Sequence, residues 1–127
     1  MNFLKLTDSL LGNVTGGAII GFDGGIWAAT PGFYGNHSEL SRFESAFSPN
    51  SDAKLKGIHF MNDLYMITKC EENVFIAQNS TRGLVAAKCE NCIVVGFHDE
   101  LIPFVNCLKA VTSLANRLRN SEYDGLI

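Results

Sequence analysis

Between residues 55 and 97 five short runs rich in aliphatic and aromatic residues follow one another, at 55–60, 64–70, 74–78, 83–88 and 92–97. Polar turn sequences separate them: Met61-Asn62-Asp63, Glu71-Glu72-Asn73, residues 79–82 and Glu90-Asn91. Connections this short can join only antiparallel neighbours, because a parallel crossover needs about a dozen residues or more. The spacing therefore predicts an antiparallel meander, and any helices must lie outside it.

Residues 16–30, GGAIIGFDGGIWAAT, predict a further hairpin. Ala18, Ile19 and Ile20 form one strand, Asp23-Gly24-Gly25 the turn, and the second strand carries Trp27, the chain's only tryptophan. Asp-Gly suits the positive backbone dihedrals of a tight turn. Before the hairpin, Phe3, Leu6 and Leu10, broadened by Leu4 and Leu11, recur at helical spacing, and Gly12 provides a stop. After it, Asn36 followed by Glu39 reads as a reciprocal cap for a short helix burying Leu40, Phe43 and Phe47. A long helix is expected over 99–119, with Leu101, Phe104, Leu108, Val111, Ala115 and Leu118 on one stripe and Pro103 in its first turn. The order is helix, hairpin, short helix, meander, long helix, an α+β arrangement of helices on an antiparallel sheet.

With 127 residues and 46% hydrophobic content, the chain is expected to form a single domain over 1–127. A net charge of -3 supplies no overall field for gathering phosphates, which argues against general nucleic-acid binding. Lys5, Thr7 and Asp8 break the apolar run that a secretion signal would need, and no stretch is long enough to span a bilayer, so a cytoplasmic protein is expected. The sequons at Asn13, Asn36 and Asn79 then read as polar turns. In that compartment Cys70, Cys89, Cys92 and Cys107 are expected as free thiols, and Cys89-Glu-Asn-Cys92 falls in a turn between strands where a redox motif would open a helix. No metal or other cofactor is expected.

His37, His59 and His98 are scattered, and no nucleophile elbow, metalloprotease helix or phosphate-cradling loop occurs. Gly21-Phe-Asp-Gly24-Gly25 joins two strands, whereas a phosphate loop leads into a helix. The chain reads as a binding module, not an enzyme.

Several stretches together resemble the profilin family. They are the opening helix, Gly16-Gly-Ala-Ile-Ile-Gly21, Gly25-Ile-Trp-Ala-Ala29, Lys56-Gly-Ile-His-Phe60, Tyr65-Met-Ile-Thr-Lys69, the run 83–88, Ile93-Val-Val-Gly-Phe97 and the closing residues 114–123. The resemblance implies a central antiparallel sheet with the N- and C-terminal helices packed together on one face and a short helix on the other. It implies a monomeric cytoskeletal protein that binds monomeric actin and regulates filament assembly, with proline-rich segments of elongation factors such as formins as further partners and phosphoinositides as the least secure. The actin-face positions it implies are Phe60, Lys69, Gln78, Lys88, Phe104, Lys109 and Ser113.

The implied proline-peptide groove holds Phe3, Leu6, Trp27, Arg117 and Tyr123. Phe3 stands where the family usually has tryptophan, Leu6 where it has tyrosine, and Arg117 where histidine or tyrosine is common. Each lost donor to a peptide carbonyl costs about 1 kcal/mol, so the changes predict proline binding weakened by roughly one to two orders of magnitude. The tail 124–127 is expected near that groove. The competing reading of the same composition is a small scaffold or sensor domain for a GTPase or small molecule; a cysteine-dependent enzyme using Cys89 or Cys92 finds no neighbouring histidine in sequence.

Overall fold

The structure, a computed structural model, describes residues 3–120; the side chain of Leu4, Tyr123 and the tail 124–127 lie outside the described residues. The chain begins with α1 (Phe3–Thr7), which tightens into a 3-10 turn over Asp8–Leu10. The hairpin β1 (Gly16–Gly21) and β2 (Ile26–Ala29) follows, then three single-turn helices, α2 (His37–Leu40), α3 (Phe43–Ala46) and α4 (Ala53–Lys56). The meander is β3 (Ile58–Phe60), β4 (Asp63–Cys70), β5 (Val74–Asn79), β6 (Arg82–Lys88) and β7 (Cys92–His98), and α5 (Phe104–Arg119) closes the described chain.

One seven-stranded sheet results, in the order β2-β1-β7-β6-β5-β4-β3, with every neighbour antiparallel. The last meander strand pairs with the first strand of the chain, so the early hairpin extends the meander edge to edge. Period-2 alternation then sends neighbouring side chains into two separate cores. Ala18, Ile20, Leu84, Ala86, Ile93 and Val95 meet Leu40, Phe43, Phe47 and Phe60 beneath the short helices. Ile19, Val85, Ala87 and Val94 meet Leu10, Val111, Leu114 and Leu118 beneath the 3-10 turn and α5, with Phe3, Leu6 and Trp27 packed at the margin. The terminal helical segments therefore share one face, and the short helices occupy the other.

Four local expectations are corrected. The run 55–60 is only half strand: residues 53–56 form α4, stopped by Gly57 at φ +80, and Leu55 is 84% exposed. The helix expected from residue 99 starts at Phe104, with Pro103 extended at ψ 140 as its cap. Proline bars its predecessor from helical backbone, so Leu101 leaves the stripe and stands 82% exposed. Asn36 does cap α2 by accepting from the Glu39 amide at 2.9 Å, but the Glu39 carboxylate does not reciprocate. It accepts instead from the amides of Met61 and Asn62, which take positive φ in the β3–β4 turn and so lack ladder partners. In the hairpin turn, only Gly24 among the Asp23-Gly24-Gly25 residues takes a positive φ, with Asp23 Oδ1 accepting from the Gly25 amide at 2.9 Å.

Candidate functional site

The aromatic platform is built where α1 crosses the first hairpin. A bulge in the β1–β2 pairing leaves Trp27 as an extra residue between Ile26 and Ala28 and turns it to the α1 side, where its ring meets that of Phe3 with centroids 5.4 Å apart and planes tilted by 48°. Leu6, one helical turn on, packs against the same core. Phe3, Leu6 and Trp27 are all half-buried, so the structure brings these three together with a share of each surface open. Arg117 lies elsewhere on α5, in a groove with Ser9 and Asn13.

A second surface is left by the position of α5, which lies on β6 and β7. The α5 side of β4 and β5 is the flank beside it. Strand register places Met66 opposite Gln78, Gln78 opposite Gly83 and Gly83 opposite His98, a row across four strands. Phe104, at the start of α5, closes the row with its ring 5.9 Å from that of His98. A bulge at Thr68 brings Lys69 opposite Ile76, onto the same side. Leu64 and Met66 are 40% and 41% exposed there, beside exposed Gln78 and Lys69. Lys69 holds only an exposed pair with Glu71 at 3.1 Å, so its charge remains available to a partner. At the strip's end Arg82 donates to Asp63 Oδ2 at 2.7 Å, a bond that raises the guanidinium pKa further.

His98 anchors this row. Its Nδ1 lies 3.1 Å from the Asp99 carbonyl, which can only accept, so Nδ1 carries the proton. Its Nε2 is buried over the bare backbone of Gly83, without a partner among the described residues. Sequence reasoning treated His98 as ordinary and missed Leu64 and Met66. The alternation Leu64-Tyr65-Met66, with Tyr65 buried between two exposed apolar neighbours, was the available signal.

The structure places two of the expected actin-face residues away from the open strip. Phe60 is wholly buried, its ring 5.4 Å from Phe33, 5.2 Å from Phe97 and 6.0 Å from Phe43, and it presents nothing to a partner. Lys88 points to the short-helix side, where its Nζ meets Glu44 Oε2 at 3.2 Å and lies 5.4 Å from the Phe22 ring centre. Even-numbered positions of β6 face that core, and Lys88 at the end of the strand follows the same parity. Lys109 and Ser113 stand on the outer ridge of α5 with Arg117, at successive i, i+4 positions. The seven expected residues thus divide among three places.

Cys89 and Cys92 face each other across the β6–β7 turn, and both are buried together with Cys107 beneath α5. Among the described residues no disulfide links the four cysteines, and no group of three or more His, Cys, Asp or Glu side chains is placed to hold a metal. Burial pushes the Cys107 thiol up to about 12.

A sheet clad on one face by terminal helices and on the other by short helices, with an aromatic platform and an exposed strand flank, is the frame of a small binding module. The chain belongs to the profilin family, whose model, described as Profilin, matches residues 1–123. Profilin-2 of Acanthamoeba castellanii is 25% identical over 107 residues, 84% of this chain and 85% of that protein. Profilin-A of Physarum polycephalum is 26% identical over 112 residues, 88% of this chain and 89% of the relative. Among solved structures, Acanthamoeba castellanii profilin II matches with a TM-score of 0.86 at 24% identity, over 93% of this chain and 97% of the other. A profilin solved as a LokiProfilin2/rabbit actin complex matches with a TM-score of 0.70 at 18% identity, over 91% of each chain.

Proposed function

We propose that this profilin is a non-enzymatic regulator that binds monomeric actin on the flank of β4 and β5 beside α5 and thereby controls filament assembly. The observation that carries the reading is the exposed strip of Leu64, Met66, Lys69 and Gln78 leading to Phe104, an apolar centre with a polar margin on a rigid sheet. Profilin membership and the likeness to actin-bound profilins support it. Occlusion of one end of the monomer is the mechanism: a bound monomer cannot join a nucleus. The protein acts in the cytoplasm, at the cytoskeleton.

Proline-rich segments bind weakly at Phe3, Leu6 and Trp27. Such segments are preformed and dock on aromatic faces, but Phe3 and Leu6 offer no hydrogen-bond donor, so Trp27 carries most of the recognition. Phosphoinositides are a lesser partner, given the acidic balance of the chain.

Pyrene-actin polymerisation with increasing protein tests the first claim. Dose-dependent suppression of spontaneous nucleation is expected, with Met66→Glu and Lys69→Glu each weakening it roughly tenfold through lost apolar contact or reversed charge. No suppression by the unmodified protein would refute actin binding and return the scaffold reading. Titration calorimetry with decaproline tests the second claim, and tight binding would sink it.

A further inference from the structure

The 3-10 turn and α5 enclose a groove of about 410 Å³ that neither the sheet strip nor the aromatic platform uses. Ser9 and Asn13 line one wall, and Asn106, Lys109, Ser113 and Arg117 line the other. Among the described residues no carboxylate lines it. Ion pairs elsewhere hold Lys56, Lys69, Arg82 and Lys88, whereas Lys109 and Arg117 have none among the described residues. Among the described residues, Ser9 is the one lining side chain with a hydrogen bond, donating to the Leu6 carbonyl at 2.9 Å. In a chain of net charge -3, two unpaired cations sharing one groove with idle amide and hydroxyl groups form a local exception.

The geometry points to an acidic peptide segment of a partner protein as the occupant, bound in extended form with two carboxylates four residues apart. Lys109 and Arg117 are eight residues apart on one helix, about 12 Å along the axis. An extended peptide covers that distance in about four residues, and an even offset puts both carboxylates on the same side of the strand. Ser113 lies between those charges on α5, and Asn13 and Asn106 can each donate to and accept from a peptide backbone along the groove. An anionic membrane fits less well, because two single cations at this spacing lack the clustered basic residues that hold a lipid surface.

The test is fluorescence anisotropy with the full chain and a labelled peptide, Gly-Glu-Ser-Asn-Ser-Glu-Gly. Saturable binding that weakens with salt is expected. Lys109→Glu and Arg117→Glu should each reduce it roughly fivefold or more, and the peptide with glutamine at both Glu positions should bind no better than background. Ser113→Trp, which fills the groove without changing charge, should also block it. All three positions are exposed, and thermal melts confirm that the variants fold. Equal binding by the charge variants, equal binding of the glutamine peptide, or no saturation by about 1 mM would overturn the proposal. So would binding to phosphatidylserine vesicles through Lys109 and Arg117 in the absence of peptide binding. The assay contains no actin, so its failure leaves the reading of the sheet strip untouched, and failure of that reading leaves the groove standing.

Discussion

Replacing Gly96 with alanine probes how closely α5 sits on the sheet, and with it the placement of Phe104, Lys109, Ser113 and Arg117. Gly96 lies in the middle of β7, between Gly17 and Val85 on the flanking strands. A Cβ there would stand 2.5 Å from Val111 Cγ2, 3.1 Å from Val14 Cγ1 and 3.4 Å from Cys107 Sγ. Relaxed carbon contacts lie near 3.5–4.0 Å, so Val111 must retreat by about 1 Å, and it sits wholly buried on a four-turn helix. Overpacking of this kind costs about 1–3 kcal/mol, while the stiffer unfolded chain of the alanine variant returns about 0.4–1 kcal/mol. The net loss should be about 1.5 kcal/mol, read by circular dichroism as a urea midpoint lowered by about 1 M. Val111→Ala alone should cost about 2 kcal/mol for its lost methyl groups, but it also empties the space that the added methyl group needs. The double variant should therefore be only about 2 kcal/mol below the parent, a coupling of about 1.5 kcal/mol. Simple additivity, about 3.5 kcal/mol, would refute the claim that Gly96 is the seat of α5.

Burial raises the Cys107 thiol from its ordinary 9.0 to about 12, so folding withholds the thiolate: the stability is intact below pH 9 and is lost as pH climbs toward 12. Stability read from urea titrations should fall by about 2 kcal/mol between pH 9 and about pH 10.5 in the parent and more gently in Cys107→Ala; parallel curves would exclude the thiol as the cause. Arg119→Ala should cost about 1–2 kcal/mol, because its guanidinium donates to the Lys88 carbonyl at 2.6 Å and to the Asn73 carbonyl at 3.5 Å, tying the end of α5 to the meander. Arg119→Lys should recover less than half of that in thermal melts, since an ammonium cannot reproduce the fork. Iodoacetamide followed by mass spectrometry should label half-exposed Cys70 first, with Cys89, Cys92 and Cys107 reacting only on unfolding.

The meander was legible because its signals are local. Four of its strands begin and end within a residue of the runs read from the sequence, since polar turns and β-rich segments alternate without ambiguity. Departures arose where a local pattern met a competing constraint. Residues 53–56 carry helix-forming Ala, Lys and Leu, with an i, i+4 pair between Asp52 and Lys56 at 3.2 Å, so they coil before the strand begins. Pro103 delayed α5 by five residues relative to the acidic start at Asp99, because its effect on Ile102 outweighs any charge preference at a helix terminus. Glu39 was drawn away by amides that are distant in sequence, which a cap motif cannot foresee.

The candidate surfaces were less legible because a family resemblance transfers positions, whereas the side of a sheet is decided by parity and by bulges. Lys69 and Ile67 share odd parity and would face the same way in a regular strand. The extra residue Thr68 separates them: Ile67 stays opposite Ala77 in the short-helix core, while Lys69 swings opposite Ile76 on the α5 side. Lys88 has no such bulge before it, so it keeps the parity of Leu84 and Ala86 and ends over Phe22 and beside Glu44. The same rule buries Phe60 while Met66 stays open, although Phe60 is an expected site position and Met66 is not. A lysine in the right stretch of sequence therefore reaches the α5 side of the sheet only when strand register turns it there, and in this chain a single inserted threonine decides that for Lys69.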